Sequence, residues 1–209
     1  MNSQTRRFLL AGPAGAIEVL RDEPLSGRPR HGTAVITHPH PLFGGTMDNK
    51  VVQTMARAFV QAAWTALRFN FRGVGASQGQ HDEGRGELDD MLAVIAAEAA
   101  EGPLALAGFS FGSYVTSRAA QALWSSRSIE KIVLVGTAAS RFDVATLPQE
   151  AQEMTLVIHG EQDDTVPLAS VMDWARPQSL PVTVVPGGGH FFHGQLPLLK
   201  SLVARHLRS

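Results

Sequence analysis

Short aliphatic runs alternate with helical stretches along most of this chain, and that alternation limits the folds open to it. The runs are TAVITH (Thr33–His38), TALRFNF (Thr65–Phe71), PLALAGF (Pro103–Phe109), KIVLVG (Lys131–Gly136), MTLVIHG (Met154–Gly160) and PVTVVPG (Pro181–Gly187). Most of them are apolar almost throughout rather than at every second position, the pattern of strands covered on both faces. The helical stretches include DNKVVQTMARAFVQAAW, with Val51, Met55, Phe59 and Ala62 on one face and Asp48 placed to cap its start. GELDDMLAVIAAEAA turns Leu88, Met91, Leu92, Ile95 and Ala99 inward, and FGSYVTSRAAQALW, LASVMDWA and LPLLKSLVARHL follow. Ahead of them RRFLLAG and AIEVLRD form a hairpin around Pro13 and Gly15, and residues 26–32 form a loop. The expected class is α/β: a mostly parallel central sheet with helices on both faces and an N-terminal antiparallel hairpin. A chain of 209 residues supports one sizeable core, so 1–209 reads as a single domain.

Composition narrows the function classes. A net charge of −1 gives no basic surplus for nucleic acid. Cysteine is absent, which excludes a disulfide framework and a thiolate nucleophile. No stretch is long enough to span a membrane. Arg6 and Arg7 ahead of FLLAG faintly resemble an export signal, but the apolar run is short and ends at Glu18 with no clear cleavage site. A cytoplasmic protein without nucleic-acid or membrane partners is the expectation.

Two segments share the skeleton G-x-S-x-G: GASQG (Gly75–Gly79) and GFSFG (Gly108–Gly112). The pattern marks an activated serine only where a strand turns at once into a helix, because the sharp turn exposes the hydroxyl at the helix N-terminus. GFSFG has a strand directly before it and a helix directly after. GASQG follows a strand but opens a long glycine-rich loop. Ser110 is therefore the candidate nucleophile, and Ser77 is a rim or turn residue. A serine needs a base and an acid to orient that base. Carboxylates follow the strand MTLVIHG at Asp163 and Asp164, with Asp143 further back. His190 follows the next strand, with His193 a later competitor.

HPHPLFGGTMDNKVV, LRFNFRGVGASQG, AGFSFGSYV, GEQDDTVP and GGGHFFHG together resemble a small bacterial group of lidless hydrolases within the α/β-hydrolase superfamily, from about Val35 to the C-terminus. The resemblance implies an α/β-hydrolase fold with the catalytic order Ser, Asp, His. It places the acid three residues after the glycine of "HG", which selects Asp163, with His190 as base. Asp164 then serves the turn beside Thr165.

An acyl-transfer site needs two N–H donors for the oxyanion. One is the backbone of Phe111, and the other belongs to His38–Gly45. Pro39 and Pro41 have no N–H, which leaves His40, Leu42 and Phe43, with Leu42 the choice. His38 and His40 lie on opposite sides of an extended segment between prolines, so they brace this loop rather than hold a metal. Arg72 is expected to hold the loop below the site. Leu42, Phe43, Phe109, Phe191 and Trp174 are candidate pocket walls. Only Thr137–Glu153 separates the strand at Lys131 from the one at Met154, which is too short for a lid and favours small soluble substrates. The expectation is a serine hydrolase of small carboxylic esters that needs no cofactor and loses activity on acidification, as the base is protonated. A thioesterase or an amide or peptide hydrolase is the alternative. A non-catalytic binding protein of the same fold is the remoter one.

Overall fold

A computed structural model describes residues 5–24 and 30–208. The loop expected over residues 26–32 lies partly outside them. Eight strands form one sheet: β1 (Thr5–Gly12), β2 (Gly15–Asp22), β3 (Thr33–Thr37), β4 (Thr65–Phe69), β5 (Leu104–Phe109), β6 (Ile129–Val135), β7 (Thr155–Gly160) and β8 (Val182–Val185). Their spatial order is β1-β2-β4-β3-β5-β6-β7-β8. β2 pairs antiparallel with β1 and with β4, and every other pairing is parallel.

The apolar strands split their side chains between two cores, as period-2 geometry requires. Val35, Leu67 and Leu106 face one side, under α2 (Arg85–Glu98) and α3 (Phe111–Leu123). Ala34, Ile36, Ala105 and Ala107 face the other, under α1 (Lys50–Gln61) and α5 (Leu196–His206). The expected inward faces hold at Val51, Met55, Phe59, Met91, Ile95 and Ala99, all buried. Among the described residues, no helix is long and apolar enough to cross a membrane.

The cap of α1 differs from expectation by one residue. Asn49, not Asp48, precedes the first helical turn, and its Oδ1 accepts the Val51 N–H at 2.8 Å. Asp48 turns outward, where its carboxylate meets Arg7 at 3.2 Å and Arg68 at 3.4 Å.

The β3 and β4 ends are cross-linked by a buried imidazole. His38 Nδ1–H donates to the Pro39 carbonyl at 2.6 Å, and its Nε2 accepts the Phe71 N–H at 3.0 Å. This is a brace, and it fixes His38 as one neutral tautomer. Among the described residues, no group of three or more His, Asp or Glu could hold a metal ion. Arg72 ties the loop after β4 to α2: its Nε and Nη2 donate to the Asp90 carboxylate at 3.0 and 2.8 Å.

Burial pushes His38 down to about 4. An unfolded histidine titrates near ~6.5. Between those values the unfolded chain binds a proton that the folded chain refuses, so His38 favours folding above the upper value. That contribution disappears as pH falls toward the lower one. It amounts to about 3 kcal/mol, or ~1.4 kcal/mol per pH unit inside the window. Urea unfolding between pH 4.5 and 6.5 should show stability dropping on acidification, with a shallower slope in His38→Gln. An unchanged slope would contradict this role.

Candidate active site

The site stands where β5 meets α3. Ser110 takes φ 57° and ψ −120°, a region that a non-glycine residue occupies only when its surroundings force it. They do so here. The Ser110 N–H donates to the Val135 carbonyl of β6 at 2.8 Å, and its carbonyl accepts the Ser113 N–H at 2.9 Å. The flanking glycines let the backbones close in. A Cβ on Gly108 would sit 2.4 Å from the Gly112 carbonyl oxygen, and one on Gly112 would sit 2.6 Å from that of Thr37. A serine at a helix N-cap ordinarily bonds the helix backbone. Ser110 makes no such bond, so its hydroxyl is free for another partner.

That partner is His190, from the loop between β8 and α5. Ser110 Oγ lies 3.0 Å from Nε2 of His190, and Nδ1 of the same ring lies 2.7 Å from Asp163 Oδ2. A carboxylate can only accept, so Nδ1 carries the proton and Nε2 is left to accept from the serine. All three residues are buried, with Ser110 at 8% exposure, Asp163 at 7% and His190 at 4%. The two Asp163 oxygens divide their work. Oδ1 accepts the N–H groups of Thr165 and Val166 at 3.0 and 2.7 Å, and Oδ2 faces His190. Burial alone would raise the Asp163 pKa. The hydrogen bonds from His190 and the Val166 N–H, with the nearby charge, outweigh burial and hold it below the ordinary carboxylate range.

The rival residues lie elsewhere. Asp164 is exposed and accepts from Thr165 Oγ1 at 3.3 Å. Asp143 is exposed on the linker after β6, and His193 is exposed beyond Phe192. Ser77 Oγ donates to the Asn70 carbonyl at 2.6 Å and accepts the Glu18 N–H at 2.9 Å. The second G-x-S-x-G is a turn that ties β2 to the end of β4.

For the oxyanion donors, Phe111 is the first residue of α3, so its N–H has no acceptor within the helix. Leu42 is less suited than expected. Its N–H donates to His40 Nδ1 at 3.2 Å, while the Phe43 N–H donates to the His40 carbonyl at 3.1 Å. The His40 N–H has no acceptor among the described residues. Counting prolines eliminates two candidates, but it cannot reveal which remaining amide the tight turn consumes.

The walls also differ in part from expectation. Phe109 is fully buried against His190, with ring centroids 4.9 Å apart. Leu42, Phe43 and Phe191 are exposed. Trp174 is remote from the array: it lines a separate open groove of about 640 Å³ with Asp143, Leu147, Asp173 and Gln178. Sequence reasoning missed the wall on the Phe111 side. His40 and His81 lie 4.7 Å apart, and Phe111 packs against both at 4.9 and 5.5 Å. Phe142 stacks on Tyr114 at 4.9 Å and meets Phe111 at 5.1 Å. These rings come from separate loops and helices, so no periodicity in the sequence announces them.

The linker carries no lid. It contains one short 3-10 turn, Gln149–Ala151, and folds onto α4 (Leu168–Ala175). Trp174 Nε1–H donates to the Val144 carbonyl at 3.1 Å, and Gln178 Oε1 accepts the Leu147 N–H at 2.8 Å.

A family model described as an alpha/beta hydrolase domain matches residues 34–197. The chain belongs to the alpha/beta hydrolase family. It is similar to a lidless serine hydrolase of Xanthomonas campestris at 36% identity, covering 100% of this chain and 95% of that one, with a TM-score of 0.87. It is similar to a serine hydrolase homologue of Coxiella burnetii at 37% identity, covering 99% and 98%, with a TM-score of 0.83. An uncharacterized protein of Rickettsia prowazekii is 42% identical over 108 residues, 50% of this chain and 44% of that protein. The chain thus matches less than half the length of that curated relative. Membership supports hydrolysis as the class of reaction.

Ser77→Ala should leave two buried backbone groups unpaired and lower unfolding free energy by about 1–3 kcal/mol while hydrolytic turnover persists. Thermal melting and a rate assay on one preparation check it. Loss of turnover in a folded Ser77→Ala protein would contradict its assignment as a turn residue.

Proposed function

We propose that this chain is a lidless serine esterase acting on small carboxylic esters through an acyl-enzyme on Ser110. The reading rests on the hydrogen-bonded series from Ser110 Oγ through His190 to Asp163 Oδ2, at 3.0 and 2.7 Å. In this account the Ser110 oxygen attacks the ester carbonyl as His190 Nε2 takes its proton. Asp163 keeps the ring aligned and offsets the imidazolium charge. The backbone N–H groups of Phe111 and His40 receive the oxyanion, each contributing on the order of 3 kcal/mol to the barrier reduction. His190 returns its proton to the departing alkoxide, which leaves as the alcohol. Water then attacks the acyl-serine with His190 again as base, releasing the acid and restoring Ser110. No cofactor enters this scheme.

The short linker argues for small acyl groups. With no cap to cover a long chain, apolar length is left to the open rim at Leu42, Phe43 and Phe191 and the wall at Phe111 and Phe142. A series of p-nitrophenyl esters should give the highest kcat/KM at short acyl chains, with thioester and anilide analogues slower. In Ser110→Ala the rate should fall by roughly a millionfold, to background. A preference for long chains would contradict the size argument, and undiminished turnover in Ser110→Ala would contradict the mechanism.

A further inference from the structure

His159, the last residue but one of β7, is completely buried, and the scheme above gives it no task. Its Nε2 lies 2.9 Å from the Val166 carbonyl oxygen and 3.4 Å from Asp163 Oδ2. Both neighbours are acceptors, so the proton must sit on Nε2. Nδ1 is then a bare lone pair, and it is buried without a partner among the described residues. Leaving a buried acceptor unmet costs about 1–3 kcal/mol. An aliphatic or phenyl side chain would fill this place without that cost. The imidazole is worth having here only for its Nε2–H.

What that N–H holds is the turn that aims the acid. The Val166 N–H donates to Asp163 Oδ1 at 2.7 Å, while the carbonyl of the same Val166 accepts a hydrogen bond from His159 Nε2–H. The 163–166 turn is therefore gripped from both ends of one residue. From within, Asp163 Oδ1 holds Val166; from β7, His159 holds it again. The residual approach of Nε2–H to Oδ2 adds a weaker contact to the oxygen that faces His190.

Resting on the triad reading, we propose that His159 is a positioning residue. Its Nε2–H clamps the Val166 carbonyl and so fixes the Asp163 carboxylate in line with His190. It does not touch substrate. The role needs a neutral ring, because a second imidazolium beside Asp163 would compete with His190 for the same carboxylate. Burial supplies that condition by lowering the His159 pKa, against the raising effects of the Val166 carbonyl and Asp163. The titratable groups bearing on it are Asp163 and His190.

The test compares His159→Phe, which fills the space without a donor, with His159→Gln, whose amide can still donate to Val166. Steady-state ester hydrolysis is measured across pH, with Ser110→Ala as the blank and thermal melting as the folding control. His159→Phe should lose about 10- to 100-fold in kcat at nearly constant KM. Its acidic limb should move to lower pH, since a carboxylate that drifts away no longer supports an imidazolium. His159→Gln should stay within about threefold of the wild type, a much smaller change than misplacing the acid produces. A folded His159→Phe with wild-type kcat and limb, or a His159→Gln as impaired as His159→Phe, overturns the inference. If His159→Phe does not fold, ¹⁵N NMR of wild-type imidazoles decides. A neutral Nε2–H ring at residue 159 through the active pH range supports the clamp, and an Nδ1–H or doubly protonated ring overturns it. Wild-type activity equal to the Ser110→Ala blank overturns the triad reading and this inference with it, whereas an active wild type beside an unaltered His159→Phe overturns this inference alone.

Discussion

One piece of backbone packing underlies the site: the first turn of α3 closes on β5 at Gly108 and on the end of β3 at Gly112. Without a Cβ at either position, the chain reverses within a few residues and Ser110 is driven to φ 57°. That conformation costs energy locally, and the hydrogen bonds from Ser110 to β6 and into α3 offset it. The strain does two things together. It turns the hydroxyl away from the helix cap it would otherwise make, and it opens the Phe111 N–H at the same point. The proposed nucleophile and oxyanion donor are thus set by one turn rather than by two independent features.

The proposed base, His190, and acid, Asp163, are arranged by different means. Neither residue itself takes a positive φ, although Phe192, which closes the turn over His190, does so at 51°. Asp163 is fixed by a short loop that closes on its own carboxylate, with one oxygen satisfied by backbone and the other reserved for His190. His190 is packed on the fully buried Phe109, and Phe191 lies edge-on to it at 5.1 Å. Strand order brings these parts together. β5, β6, β7 and β8 are successive neighbours in the sheet, so loops far apart in sequence open side by side at the same edge. This is the general reason that parallel sheets carry their chemistry at the carboxyl ends of strands.

What could be read from the sequence follows from how local each signal is. The strands, the helices and the contrast between Ser110 and Ser77 depend on residues within a few positions of one another, and the structure has Ser110 on the strand-to-helix turn. The cap of α1 slipped by one residue because Asp48 and Asn49 are both good caps, and only the chain's entry angle decides between them. The oxyanion loop was legible as a loop but not at the level of individual amides, since a tight turn consumes its own N–H groups. The wall of His40, His81, Phe111 and Phe142 is purely tertiary, whereas His159 stands only four residues before Asp163. The wall arises from rings on different elements meeting in space, and His159 escapes notice because a lone histidine before a glycine reads as an ordinary strand residue.

The account depends on a single hydroxyl being more reactive than every other serine in the chain. The most direct measurement is intact-mass analysis after treatment with a fluorophosphonate, followed by peptide mapping of the adduct. One equivalent should attach, on the peptide that contains Ser110, and denaturing the protein beforehand should abolish the reaction. An adduct mapped to Ser77 or spread over several serines, or no adduct on the folded protein, would contradict the account.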